Sequence, residues 1–435
     1  AGWRLSEETF MKWAKPVLSD FKVRGSWGTI GNQDVAANSF LSVMSVNKSS
    51  GWVIDGKQVP YIGIPSVVSP SLTWERVTTI DLGFDARFFN NELGVSFDWY
   101  QRTTSDMHSP GETLPSTFGS TTMPKVNSGE LQGRGFELSI DYNKRFACGL
   151  GLTARATLSK IREKITKYNN TNKNIYGNYE GKIIGEIWGY ETDRLFQYED
   201  CYQDADGKWF IDTNKVPSQA LYETGAFKYG PGDVKYKDLD GNGEITYGEQ
   251  TLEDHGDLKR IGNTLPNFEY GFSVALTYKD FDFSTFFQGI GSRDVWAVGQ
   301  TGIPGFMPGE GWLEHQMDYW TPENTDEFYP KPTSHSWINN GQNFLRQTRY
   351  LQNMSYLRCK NITLGYTVPE KWMKVITFTS GRIYVSAENL FEFDHTNIPV
   401  DPETTEKAAA SNGEYKFGKS YPFMRSISFG VQLTF

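Results

Sequence analysis

The stretch of sequence that most limits the fold is residues 423–435. Phe423, Ile427, Phe429, Val431, Leu433 and Phe435 fall on one side of a two-residue period, and Ser426, Ser428, Gly430, Gln432 and Thr434 on the other. Arg425 interrupts the apolar side near its far end. A period of two belongs to an extended strand whose faces meet different surroundings. The run stops on Phe435, an aromatic final residue of the kind outer-membrane barrels place at the membrane edge.

Nine further segments alternate in the same way: residues 21–27, 78–88, 93–99, 136–142, 150–161, 268–278, 281–290, 357–366 and 383–391. The connections between them alternate in length. Short ones contain Asn90-Asn91, residues 145–147, Lys279-Asp280 and the somewhat longer 369–381. Long ones cover about 28–76, 103–131, 165–267, 291–355 and 392–422. Short turns at one end and long loops at the other are the asymmetry of outer-membrane barrels, whereas a Greek-key sandwich scatters its loop lengths. The expectation is therefore an all-β chain, a transmembrane antiparallel β-barrel of about ten strands with long extracellular loops and a periplasmic C-terminus. Loops of up to a hundred residues are oversized for a ten-stranded ring, so the strands read as part of a larger one.

Composition permits this and removes other classes. No run approaches the ~18–20 apolar residues of a spanning helix, and a mean hydropathy of −0.52 is what strands with one polar face produce. Abundant Phe, Tyr, Trp and Gly suit aromatic girdles and turns, although a secreted glycan-binding β-protein shares that bias. The net charge of −9 argues against a nucleic-acid partner. Cys148, Cys201 and Cys359 form no metal-binding spacing, and Cys148 with Cys359 is the pair that could bridge. The opening Ala1-Gly2-Trp3-Arg4 has no leader character and reads as the interior of a longer polypeptide.

With these residues in hand the chain resembles the SusC/RagA family of TonB-dependent outer-membrane transporters of Bacteroidetes. The resemblance is carried by Arg24-Gly25-Ser26-Trp27-Gly28, Asp81-Leu82-Gly83-Phe84-Asp85, Phe97-Asp98-Trp99-Tyr100 and Gly135-Phe136-Glu137-Leu138. It continues through Gly232-Asp233-Val234-Lys235-Tyr236, Phe286-Phe287-Gln288-Gly289, Tyr319-Trp320-Thr321-Pro322-Glu323-Asn324, Asn361-Ile362-Thr363-Leu364-Gly365-Tyr366 and Glu388-Asn389-Leu390-Phe391. Each motif is short; their order and spacing carry the likeness over almost the whole chain. The resemblance implies a barrel of about 22 strands with a plugged lumen, of which residues 1–435 would supply strands 13 to 22. The plug and the TonB box would lie outside this chain. It also implies a SusD-like surface lipoprotein over the external mouth, coupling to TonB, contact with outer-membrane lipid, and uptake of oligosaccharides or peptides. A siderophore or vitamin receptor, a passive porin and a secreted glycan-binding protein are the alternatives.

One motif carries chemistry of its own. Residues 238–249 match a twelve-residue calcium loop, with Asp238, Asp240 and Asn242 at positions 1, 3 and 5 and Gly243 at the sharp turn of position 6. Glu244 would offer its backbone carbonyl, Thr246 would bind directly or through water, and Glu249 would close the shell as a bidentate carboxylate. Asp233 stands nearby as a further candidate. The preceding Tyr229-Gly230-Pro231-Gly232 cannot be helical, so the expectation is a fixed structural Ca²⁺ and not an EF-hand sensor. No nucleophile–base spacing or phosphate loop is present, and the five histidines are scattered, so the chain reads as non-enzymatic. Trp188, Tyr190, Trp296, Trp312, Tyr319, Trp320 and Trp337 are the loop aromatics that could stack on cargo or seat a partner, the alternative for each being packing inside its loop.

Overall fold

Alternation of apolar and polar residues produces ten long strands, each paired antiparallel with its neighbour in sequence. They are β1 (Leu18–Asn32), β2 (Glu75–Phe88), β3 (Leu93–Pro110), β4 (Lys125–Arg145), β5 (Gly151–Lys167), β6 (Glu269–Tyr278), β7 (Phe281–Ile290), β8 (Leu351–Val368), β9 (Ser380–Glu388) and β10 (Ser426–Thr434). The computed structural model describes residues 1–32, 41–48, 51–63, 65, 67–69, 72–111, 115, 117, 124–170, 172–307, 309–333, 341–404 and 417–435. Gly2–Arg4 adds a short stretch to the free side of β1. Asp294–Trp296 and Glu392–His395 extend the sheet along the far half of β8, beyond the ends of β7 and β9. Among the described residues neither outer edge, Gly2–Arg4 or β10, pairs further, so the sheet is an open arc.

The register puts the expected residues on common faces. Phe84 lies opposite Phe97 and Phe97 opposite Leu138, Val274 opposite Ala154 and Thr285, and Val385 between Leu364 and Phe429. On this apolar face Phe21, Phe84, Phe97 and Phe136 form a row with ring centroids 6.0, 5.7 and 6.1 Å apart, and Phe272 stacks on Phe287 at 4.7 Å. Such cross-strand rings contribute roughly 0.5–1.5 kcal/mol per pair beyond burial.

The other face carries the charges, and several pairs skip a strand. Arg24 on β1 binds Asp85 on β2 at 2.8 Å and reaches over to Asp98 on β3 at 2.7 Å. Arg87 on β2 meets Asp141 on β4 at 2.5 Å, and Arg382 on β9 meets Asp282 on β7 at 2.5 Å. The strand crossed must carry no side chain at that point. A Cβ on Gly94 of β3 would stand 2.2 Å from Arg87 Nη1, and one on Gly365 of β8 2.4 Å from Asp282 Oδ1.

All ten expected strands are present; their lengths differ from expectation at the long-loop end. β3 and β4 run to 18 and 21 residues, so the loop expected over 103–131 contracts to 111–124. Their upper parts pair Thr103 with Gln132 and Thr104 with Leu131, where polar residues on both faces erase the alternation. The 369–381 turn holds a short helix, α1 (Glu370–Met373). Cys148, Cys201 and Cys359 are all free, so the conjectured Cys148–Cys359 bridge does not form. No helix among the described residues is long and apolar enough to cross a membrane, which says nothing of strands.

Candidate functional site

The two longest loops are not separate. Residues 168–268, between β5 and β6, and 291–350, between β7 and β8, share one core that includes Trp188, Tyr190, Phe196, Tyr229, Tyr236 and Leu258 from the first, and Trp296, Trp320, Tyr329 and Tyr350 from the second. A buried polar seam fastens them. Asp233, fully enclosed, takes an ion pair from Lys331 at 2.6 Å and hydrogen bonds from Asn343 Nδ2 at 2.8 Å and the Gly230 N–H at 2.9 Å. Tyr236 and Tyr229 both donate to the Gln342 carbonyl, at 2.6 and 3.2 Å. Burial pushes the Asp233 carboxyl up, against the attraction of Lys331. Asp233 is thus a loop-to-loop fastener and not a helper at the calcium motif.

That motif sits on the rim of this body. Asp238 accepts from the Gly241 and Gly243 N–H groups at 2.6 and 2.8 Å, Asp240 from Asn242 at 3.0 Å, and Asn242 Oδ1 from Glu244 at 2.7 Å. Gly243 has φ +85°, the left-handed turn required at position 6. Position 8, Ile245, is buried in the shared core and bonded to the Ser218 carbonyl at 2.8 Å, which fixes the loop to the body. The carboxylates brought together are Asp238, Asp240 and Asp257, with one oxygen of each within 4.8 Å of the others. Glu249 is exposed and lies outside that group, and Thr246 contributes a backbone N–H to Asp257 at 2.7 Å. Asp257, missed in the sequence because it follows the twelve-residue window, is buried and also accepts from the Leu239 N–H at 2.7 Å.

The donor set suits calcium. Oxygens that share one Ca²⁺ at about 2.4 Å each can stand no more than about 4.8 Å apart, and the three carboxylates each place one oxygen within that limit. Among the described residues no Lys or Arg pairs with these three acids. Burial, and then the facing charges of Asp240 and Asp238, push the Asp257 carboxyl up despite its two N–H donors.

Of the aromatics singled out from sequence, Trp188, Tyr190, Trp296 and Trp320 are buried in the loop core. Trp312 and Tyr319 pack edge to face at 5.4 Å and keep part of their surface open; Trp337 lies outside the described residues. Two rings that reach solvent further were not singled out. Tyr176 and Tyr247, 51% and 40% exposed, flank a cleft of about 470 Å³ floored by Trp188, Tyr190 and Tyr222, with Gln250 and Arg346 as its polar groups. Tyr247 stands inside the calcium motif, which was the available signal. A second recess, of about 670 Å³, opens on the charged face of the sheet among Asp98, Glu137, Arg155, Glu269 and Gln288.

A family profile described as "TonB dependent receptor-like, beta-barrel" matches residues 2–390. The chain belongs to this family of TonB-dependent receptor barrels. TonB-dependent receptor P3 of Formosa agariphila is 27% identical over 456 residues, covering 100% of the chain and 41% of that protein. TonB-dependent receptor SusC of Bacteroides thetaiotaomicron is 25% identical over 461 residues, covering 100% and 39%. The chain therefore spans about two fifths of the length of the curated relatives it matches. Among solved structures the RagAB peptide importer in its open-open state superposes with a TM-score of 0.69 at 21% identity, over 100% of this chain and 42% of that one. The SusC/RagA resemblance and the barrel fold drawn from the motifs both stand. In such a receptor the apolar face meets outer-membrane lipid and the charged face lines the lumen.

Proposed function

We propose that this chain forms the C-terminal part of the barrel of a TonB-dependent importer of SusC type, which takes up oligosaccharides or peptides with a SusD-like lipoprotein on its outer face. The reading rests on one observation above the others: a sheet with one apolar and one charged, recessed face that carries, at its long-loop end, two long loops packed into a single core. A passive pore needs no such body, and a secreted glycan binder needs no continuous apolar outer face. The short turns lie in the periplasm, as does the end of β10, and the loop body lies outside. The two open edges of the arc are closed by further strands, because unpaired backbone is not tolerated in lipid. The loop body holds one structural Ca²⁺ through Asp238, Asp240 and Asp257, keeping the rim in a single shape where the lipoprotein seats. Bound there, the ion would supply charge balance and hold the turn that Asp238, Asp240 and Asp257 form; the chemistry proposed is binding, without a catalytic step.

Deleting the gene and supplying fluorescent oligosaccharides or oligopeptides tests the reading. Uptake of one class should be lost in the deletion and also when TonB is removed from the parent. Uptake that persists without TonB would replace the importer with a pore.

A further inference from the structure

The turn between β8 and β9 is longer than the other short connections and is built differently. Pro369 starts a helical run, α1 and the 3-10 turn Lys374–Ile376, which ends at Thr377 in the left-handed region with φ +64°. Residues spaced i, i+3 and i+4 share a helix face, and here these are Trp372, Val375 and Ile376, which are 59%, 81% and 52% exposed. Glu370 and Lys374 form an ion pair at 2.6 Å on another side, and Lys371 is exposed. Three large apolar side chains in water beside a charged face have no reason to persist in a solvated turn.

Met373 fixes the side of the sheet against which the helical run packs. It is buried, and a Cβ on Gly381 would meet its Sδ and Cε at 2.7 Å and Leu433 Cδ2 at 3.3 Å. Gly381 pairs with Leu433, and both lie on the face of Ile383, Val385, Phe429 and Val431, the apolar outer surface of the arc. The helical run is thus folded against the outside of the barrel and away from the lumen. Its exposed stripe lies at the short-turn end of that outer surface.

We propose that this turn is an interfacial membrane anchor: Trp372, Val375 and Ile376 enter the acyl boundary of the periplasmic leaflet while Lys371 and Lys374 reach the phospholipid phosphates. An amphipathic helix with Trp on its apolar side and Lys on its polar side lies at that depth. The inference rests on the orientation proposed above, with short turns in the periplasm.

The test uses the full-length protein in phosphatidylethanolamine–phosphatidylglycerol vesicles. Cys148→Ser removes the exposed thiol, Cys201 and Cys359 being buried, and a nitroxide is placed by Val375→Cys. Phe429→Cys and Ser428→Cys report the outer and lumenal faces of β10. The label at 375 should relax several-fold more with oxygen than with a water-soluble nickel chelate, at a depth shallower than the label at 429. Equal relaxation at 375 and at 428 would place the turn in water and overturn the anchor, and a label at 375 shielded from both agents would mean a protein partner covers it, which overturns it as well. A water-exposed label at 429 would instead overturn the assignment of the apolar face to lipid, on which the anchor also rests.

Discussion

Two buried acids decide how the outer loops behave. At the calcium motif the sequence points to Glu249 as the third carboxylate and the fold supplies Asp257, nineteen residues after Asp238. Asp257→Asn should therefore weaken calcium binding by at least about tenfold, because ligand charge sets affinity in such loops, and Glu249→Gln should change it little; calorimetry on the two variants separates the readings, and the reverse order would return the site to the sequence assignment. The raised Asp257 carboxyl gives the pH dependence its sign. Calcium must displace its proton, so affinity should begin to fall on acidification above the usual carboxylate range. Without calcium the folded loop holds that proton more tightly than the unfolded one. The metal-free loop should accordingly lose stability as pH rises from the ordinary carboxylate range through the raised value, visible as proteolysis near residues 238–257. At the other acid, Lys331→Ala would strand Asp233 in the core at a cost of about 3 kcal/mol to the loop body. Hydrogen exchange on residues 229–236 would read that loss, and it should shrink at low pH, where Asp233 takes up a proton.

At the scale of elements, the strands were legible wherever their two faces meet different surroundings, and illegible elsewhere. Val274 and Leu276 on β6 alternate cleanly, so Val274→Lys should cost about 2–4 kcal/mol near the bilayer midplane and Ser273→Lys far less; equal shifts in urea titrations of the folded barrel would contradict the register. The upper halves of β3 and β4 carry Thr103, Thr104 and Gln132, polar on both sides, and no period marks them as strand. The loop body was hidden for another reason: its core joins Tyr236 to Tyr350 across more than a hundred residues, and only folding brings such positions together. For the same reason four of the loop aromatics, Trp188 and Trp320 among them, prove to be interior, the packing alternative, while Tyr176 and Tyr247 reach the surface.

For the whole molecule, the loop body should loosen without opening the barrel wall, although the two meet at Trp296, which lies on the sheet and in the loop core. The strands are held by their own ladder, and the calcium motif is joined to the loop core through buried Ile245. Chelation should therefore raise protease sensitivity of the loop body and leave the heat-induced shift of the barrel on a denaturing gel unchanged. The charge pairs that pass over Gly94 and Gly365 have a mechanical meaning as well. A ladder of hydrogen bonds alone lets one hairpin slide or peel past the next, whereas a tie between strands two apart loads three strands at once. The wall should therefore resist sliding as a woven sheet does, and stay stiff when something inside the lumen is pulled toward the periplasm. In single-molecule extraction from a bilayer, Gly94→Ala should lower the force needed to release the hairpin of β3 and β4, with no change in the length released.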